Sequence, residues 1–504
     1  MNKTQKLVLV VAILASFVAF LDGAVVNVAL PVIQKELGGG LAGQQWVVDG
    51  YLLTLGSFIL IAGSLSDLFG RLKVLRYGLI GFTVASLLCA IAPNIGVLIA
   101  ARLLQGAAGA MLVPSSLALI ADRIPKAQFS KAVGSWTAWT GISFLIGPLL
   151  GGFFVDVLNW RLVFAINLLP FVITLWLMQR LSGDRKPDVD AHVDAFGAAL
   201  CTVGLAGLVI ALIEQAHLGW GNVQVWLPFI IGCVASTLFI WHEARTAHPM
   251  LPLKLFTHRN FAAGNIATFA IYAGLSAVGF VLVIFLQQVA GYGATVSGMS
   301  LIPVTLIMFF GSPRIGALSE RFGPRWFMTA GPLCAAVGLA LIAVSVHAAT
   351  NYFTQILPGV LLFALGLVTT VTPLTAAIIG DVSPQQSGIA SAVNNAVARI
   401  AGLIAIAIVG ALLAAQFSSA VAQKTSDTSP ALAQSLNSAK SHTLQVTTPD
   451  NLNDSDRTAA QTILRQASVS SFRAGMLLTG GLVAVGGVVS AIGIRNSKRR
   501  ILPT

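Results

Sequence analysis

Apolar residues run along this chain in long unbroken stretches separated by short polar connections. They do not alternate as a half-buried strand would, and they leave no polar face as a surface helix would. A helix needs roughly 20 apolar residues to cross a ~30 Å hydrocarbon core. Stretches of that order lie near 7–30, 46–66, 75–94, 97–121, 133–155, 162–179, 195–214, 225–241, 261–288, 296–318, 327–346, 353–379, 389–415 and 473–494. The pattern predicts an all-α polytopic membrane protein with fourteen transmembrane helices. Lys3 and Lys6 precede the first stretch as they would in a signal peptide. The run continues through Asp22 to Pro31 without a cleavage site, so it reads as a span.

Composition removes the alternatives. The 504 residues are 56% hydrophobic and only 10% charged, with mean hydropathy +0.84; soluble domains carry about a quarter charged residues. Disorder, collagen and a disulfide scaffold are excluded, and Cys89, Cys201, Cys233 and Cys334 all sit inside apolar runs as small core residues. The net charge of +12 invites a nucleic-acid partner, but the basic residues are scattered in small clusters between spans. With the N-terminus in the cytosol, 21 lysines and arginines fall in cytosolic segments, whereas the short outer loops hold only Lys35 and Arg161. That asymmetry is the positive-inside signature. It places both termini in the cytosol and makes the charge a topology signal, with no nucleic-acid partner expected.

The sequence also repeats itself. Gly63-Ser-Leu-Ser-Asp67-Leu-Phe-Gly70-Arg71 follows the second stretch, and Gly316-Ala-Leu-Ser-Glu320-Arg-Phe-Gly323-Pro324-Arg325 follows the tenth. Both read G-x-L-S-acid-x-F-G, eight spans apart. Duplication is the economical explanation. Fourteen spans with an eight-span offset divide into two six-helix bundles with two inserted helices. The expected boundaries are 1–185 for the first bundle, 186–255 for the inserted pair and 256–504 for the second bundle, with a long polar outer loop at 416–472. Paired six-helix repeats around a midplane site are a transporter architecture.

Charged residues inside a bilayer cost several kcal/mol unless paired or hydrated, so those few are the functional candidates. Asp22 lies about 22 Å from the cytosolic edge of the first span at 1.5 Å per residue, and Arg102 about 7 Å below the outer edge of the fourth. In a ~30 Å core these depths coincide, with Asp49 slightly shallower. An aspartate that gains and loses an arginine and water as a cavity opens is a proton carrier; a static ion pair is the simpler alternative. The seven histidines map to loops or span ends, so a histidine relay is not expected. No phosphate-binding G-x-x-x-x-G-K-[ST] occurs, and His242-Glu243 lacks the second histidine of H-E-x-x-H. No catalytic group, metal or cofactor is expected. In the thirteenth span Ser391, Asn395 and Arg399 fall at i, i+4, i+8, one polar stripe with Arg399 about 15 Å deep. With Gln105 and Trp139 these are the candidate cavity residues.

These motifs resemble the major facilitator superfamily, and most nearly its fourteen-helix drug/proton antiporters, over essentially the whole chain. Segment 63–75 is similar to the superfamily's loop 2–3 motif, departing at Leu68 and Leu72. Leu21-Asp22-Gly-Ala-Val-Val-Asn-Val-Ala-Leu-Pro31 resembles the first-helix motif, and Arg102-Leu-Leu-Gln105-Gly106 the fourth-helix arginine motif. Gly134, Ser143, Gly147-Pro148 and Gly151-Gly152 resemble the fifth-helix antiporter motif, and Asn159-Trp160-Arg161 with Phe164 and Asn167 also fits. The resemblance implies that Arg71 reaches Asp122 and that Asp67 meets the start of span thirteen, a cytosolic gating latch, while Gly147, Pro148, Gly151 and Gly152 seal the cavity against leaks. It further implies a proton-driven exporter of amphipathic drugs working by alternating access, as a monomer in a bacterial inner membrane, with no periplasmic adaptor identified by the sequence. A dedicated exporter of one metabolite, antibiotic or siderophore is the second reading, and a non-transporting sensor the third. Asp22 and Asp49 are matched by Arg102 and Arg399, so neutral, zwitterionic and anionic substrates stay open beside cations.

Overall fold

The computed structural model describes residues 1–181, 193–347, 350–380, 387–425, 428–440, 443–446 and 452–496. Those residues are helical with no strand. Thirteen helices among them are long and apolar enough to cross a membrane: Lys3–Leu37, Gly40–Gly63, Arg71–Ala90, Ile95–Arg123, Ala132–Val157, Ala195–Gln215, Val223–Glu243, Arg259–Gln288, Ala294–Ser319, Pro324–Ser345, Tyr352–Leu374, Ile389–Thr425 and Asp454–Gly493. The expected sixth span is a shorter apolar helix, Leu162–Met178, broken between Ala165 and Leu168. Pro170 just beyond the break lacks the N–H that would bond back to Ile166, which weakens the helix there. Counting that helix as span six, the spans are numbered one to fourteen in chain order.

Local sequence sets several helix ends. Asn2 and Gln5 form a reciprocal cap on span one, and Asn94 and Asp194 cap spans four and seven by accepting from Val97 N and Gly197 N. The duplicated motif ends each copy in the same way: Gly70 and Gly323 have φ of 99° and 84°, and each donates its N–H to the serine carbonyl four residues earlier, Ser66 and Ser319. A left-handed residue at a helix end favours glycine, so the two copies share their geometry as well as their letters.

The chain divides into two compact units: Met1–Leu251 with Gly279–Met299 and Ile406–Ser471, and Pro252–Val278 with Ser300–Ala405 and Phe472–Thr504. In the first, span one buries a continuous face through Val11, Ala15, Val18, Leu21, Val25 and Ala29. Spans seven and eight close on each other at glycines; a Cβ on Gly207 would lie 2.4 Å from the Pro228 carbonyl. Trp46 Nε1 on span two donates to Glu214 Oε1 on span seven at 3.2 Å. Span eight turns Trp226, Ile230, Val234 and Trp241 outward, as a lipid-facing helix does. In the second unit, spans eleven and twelve meet at Gly338 and Gly359, where a Cβ would lie 2.5–2.6 Å from the facing carbonyl.

The polar stretch 416–472 corrects the expectation of a loop. The helix of span thirteen runs for 39 residues, Ser387–Thr425, and that of span fourteen for 40, Asp454–Gly493. At 1.5 Å per residue each is about 60 Å long, twice the hydrocarbon thickness. With the short helix Pro430–Ala439 they enclose a separate apolar core of Phe417, Val421, Leu432, Leu436, Leu452, Ala460, Leu464 and Ala467. The apolar stripe is narrow and the remaining faces are Ser, Thr, Gln and Asn, so the average composition hid an amphipathic helical cap.

Candidate proton-coupling site

Five spans converge on Asp22. Arg102 lies two turns before the end of the first half of span four, Ile95–Gly109, and both side chains are fully buried. Arg102 Nη1 donates to Asp22 Oδ2 at 2.5 Å and to Gln105 Oε1 at 2.7 Å, and its Nε donates to the Val47 carbonyl of span two at 2.9 Å. Asp22 Oδ1 accepts from Gln105 Nε2 at 2.8 Å and from Asn167 Nδ2 of span six at 3.0 Å. Ser86 of span three accepts from both amides, 3.3 and 2.9 Å, and donates to the Phe164 carbonyl at 2.8 Å. The guanidinium also sits over the Tyr51 ring, 4.4 Å from its centroid, with Phe164 at 5.7 Å. A carboxylate out of water is tolerated only when paired and hydrogen-bonded. Here one ion pair and two amide donors meet that need.

The arrangement depends on close backbone approach. A Cβ on Gly106 would lie 2.2 Å from the Tyr51 carbonyl oxygen and 2.3 Å from Thr54 Oγ1, so glycine lets span four lie against span two with Arg102 at the required height. Gln105, expected among cavity residues, is instead enclosed within the Asp22 network. Asp49 is fully buried on span two outside that network, and neither carboxylate oxygen has a partner among the described residues.

At the far end of span four, Arg71 Nη1 donates to the Ala118 carbonyl at 3.0 Å and lies 3.5 Å from Asp122 Oδ1. Asp122 Oδ2 also accepts from Arg123 Nε at 3.2 Å. A cation over the last carbonyls of span four suits the helix dipole. Gly63 and Gly70 bracket the loop motif at the end of span two; the Asp67 side chain lies outside the described residues. In the second part of span five, Ser143–Val157, the antiporter glycines divide between two neighbours. A Cβ on Gly147 or Gly151 would lie 2.7 Å from Ala24 Cβ or 2.9 Å from the Val25 carbonyl of span one. One on Gly152 would lie 2.3 Å from Thr295 Cα, and the Pro148 carbonyl abuts Gly298. One turn on, Asp156 accepts from Ala294 N at 3.0 Å, Thr295 N at 2.8 Å and Thr295 Oγ1 at 2.6 Å, capping span ten.

The stripe on span thirteen is only partly as expected. Asn395 spends its amide on the Ser391 carbonyl of its own helix at 3.0 Å. Asn394 does the cross-helix work, donating to Thr268 Oγ1 at 2.6 Å and Asn265 Oδ1 at 3.3 Å on span nine. Arg399 is half-buried beside Tyr272. Trp139 is 57% exposed, while Trp136 is buried and donates to Ser16 Oγ at 3.1 Å.

Residues 12–406 match the family model for the Major Facilitator Superfamily. The chain belongs to that superfamily. It is 34% identical over 423 residues to the multidrug resistance protein Stp of Mycobacterium tuberculosis, covering 83% of this chain and 78% of that one. The puromycin resistance protein of Streptomyces alboniger is 32% identical, covering 79% of this chain and 80% of its own. The methylenomycin A resistance protein of Streptomyces coelicolor is also 32% identical, covering 80% and 85%. Among solved structures, an inward-facing bacterial homolog of the human lysosomal transporter Spinster superposes with a TM-score of 0.65 at 16% identity, covering 98% of this chain and 97% of that one. The D-xylose-proton symporter gives 0.63 at 13%, covering 98% and 99%.

As a member of the superfamily the chain is a multi-pass membrane transporter of small molecules and not an enzyme. Sequence reasoning missed three parts of the Asp22 site: Ser86, Tyr51 and Asn167 in its role as a donor. Asn167 was visible as part of the Asn159-Trp160-Arg161 segment but carried no charge to draw attention. Arg161 of that segment is structural: it donates to the Ala90 and Ala92 carbonyls at 3.3 and 2.9 Å at the end of span three and stacks on Trp160.

Proposed function

We propose that this protein is a proton-coupled exporter of amphipathic drugs, working by alternating access in a bacterial plasma membrane with both termini in the cytosol. The observation that supports this most is the buried Asp22–Arg102 pair with its amide donors. In the proposed cycle a proton from the outer side bonds to the Asp22 carboxylate, the ion pair with Arg102 breaks, and the proton leaves to the cytosol when the pair re-forms. Asp49 is the second proton-carrying candidate. One proton moving down ~150 mV releases about 3.5 kcal/mol, enough for a gradient of a few hundredfold. The resistance relatives support export of antibiotics.

Arg71 with Asp122, together with Asp67, forms the gating latch in this reading, and the Gly147–Gly152 seam with the Asp156 cap closes the outer side. No bound cofactor is needed beyond the proton gradient, and the working unit is a monomer. A second reading, a dedicated exporter of one antibiotic, draws support from relatives named for single compounds. A resistance panel in an efflux-deficient host, with Asp22→Asn as control, tests both. Protection against several unrelated compounds, lost in the mutant, supports the first; protection against one compound supports the second. No protection at all refutes export.

A further inference from the structure

Asn167 holds the Asp22 carboxylate from a side the ion pair does not explain. It stands at the break in span six, between Leu162–Ala165 and Leu168–Met178, and is fully buried. Its Nδ2 donates both to Asp22 Oδ1 at 3.0 Å and to Ser86 Oγ at 2.9 Å, while its Oδ1 has no partner among the described residues. Ser86 must act as the acceptor, because its own proton goes to the Phe164 carbonyl. The amide is therefore fixed in one sense: turned over, it would set its oxygen against a carboxylate. A residue kept for packing alone could be leucine, with the same branched heavy-atom skeleton and no buried oxygen left unsatisfied. Asparagine leaves that oxygen orphaned and in return presents a donor to Asp22.

The other groups facing Asp22 are Arg102 from span four, Tyr51 from span two through the guanidinium, and Cys89 from span three, whose Sγ is 3.6 Å from Gln105 Oε1. Span five meets this stretch of span one with Gly147 and Gly151, which titrate nothing. Arg102 supplies the counter-charge, and Gln105 and Asn167 supply the two remaining donors. Gln105 is tied to Arg102 as well as to Asp22, so removing it would disturb the ion pair. Asn167 does not touch Arg102 through any of its bonds above; it meets the ion pair at the carboxylate and is held by Ser86.

We propose that Asn167, backed by Ser86, is a positioning residue for proton coupling: its amide favours the ionised form of Asp22 and sets the pH at which the proton is taken up and released. The inference rests on the reading of Asp22 as the coupling carboxyl. An N–H donated to a carboxylate stabilises the charged form; without it the proton is held to higher pH.

The test is infrared titration of the purified full-length protein, following the protonated-carboxyl band that is absent from Asp22→Asn. In Asn167→Leu the midpoint of that band should move to higher pH by about one unit, a tenfold change in proton affinity. In Ser86→Ala, where the amide is loosened but kept, it should move the same way by less. Asn167→Ser, too short to reach Asp22, should reproduce the leucine variant and covers the case in which leucine does not fold. Unchanged midpoints in the Asn167 variants overturn the proposal while leaving the coupling reading intact. A band lost in Asp22→Asn at no pH means that Asp22 does not titrate, and overturns both.

Discussion

Replacing Gly106 by alanine tests whether the closeness of spans two and four is what holds Arg102 on Asp22. The added Cβ would lie 2.2 Å from the Tyr51 carbonyl oxygen, where ordinary contacts begin at 3.4 Å. Thr54 Oγ1, at 2.3 Å, can rotate away at the expense of its 2.7 Å bond to the Leu103 carbonyl, but a backbone carbonyl cannot. The helices must separate by about 1 Å, and Arg102, one helical turn earlier, moves with span four. Its 2.9 Å bond to the Val47 carbonyl would stretch beyond hydrogen-bonding range. Overpacking costs about 1–3 kcal/mol and a hydrogen bond to a charged group about 1.5–3 kcal/mol, a combined loss of about 2.5–6 kcal/mol. Gly109, one turn further along the same helix, is the control: its Cβ would meet Phe82 and Tyr51 Oη at 3.4 Å, so alanine there should be nearly neutral. The assays are thermal unfolding in detergent and proton-driven export in vesicles, with expression matched. Gly106→Ala with the stability and export rate of Gly109→Ala would refute the reasoning.

Other outcomes follow from the same contacts. Asp156→Ala removes an acceptor that takes three hydrogen bonds from span ten; a cysteine placed at Ala294, buried here, should label faster with an impermeant maleimide, and an unchanged rate would mean the cap does not hold the seam. Arg71→Ala should slow export severalfold, and combining it with Asp122→Ala should add little because the two share one contact; full additivity of the two rate losses would argue against a joint role. Arg399→Lys loses the planar fork but keeps the charge. It should weaken resistance to anionic or neutral compounds more than to monovalent cations, measured at matched expression; equal losses would point to folding, and no loss to packing.

What could be read from the sequence was what carries charge or repeats. Asp22 and Arg102 stand out because ions are rare in spans, and helix rise alone put them at one depth. The Gly70 and Gly323 motif was legible as letters and turns out to be one backbone turn used twice. What was not legible was neutral or averaged. Gln105 looked like a cavity residue because a polar side chain three places after Arg102 gives no sign that it folds back onto the same carboxylate. Asn394 pairs across helices where its neighbour Asn395 was favoured by the i, i+4 stripe; both fit a polar edge, and only packing separates them. The helical cap over 416–472 was hidden by composition, since its eight core residues are diluted among Ser, Thr, Gln and Asn.

The central claim is that Asp22 binds and releases the proton that drives export. The most direct measurement is proton flux on substrate addition in inverted vesicles containing full-length protein, for wild type and Asp22→Asn at equal insertion, with ethidium and puromycin as probes. Asparagine keeps the volume and loses the titration. The account predicts that wild-type vesicles dissipate the pH gradient on addition of an exported probe and that Asp22→Asn vesicles hold it. Dissipation by the mutant at the wild-type rate would contradict the account, as would a wild type that moves no protons with either probe.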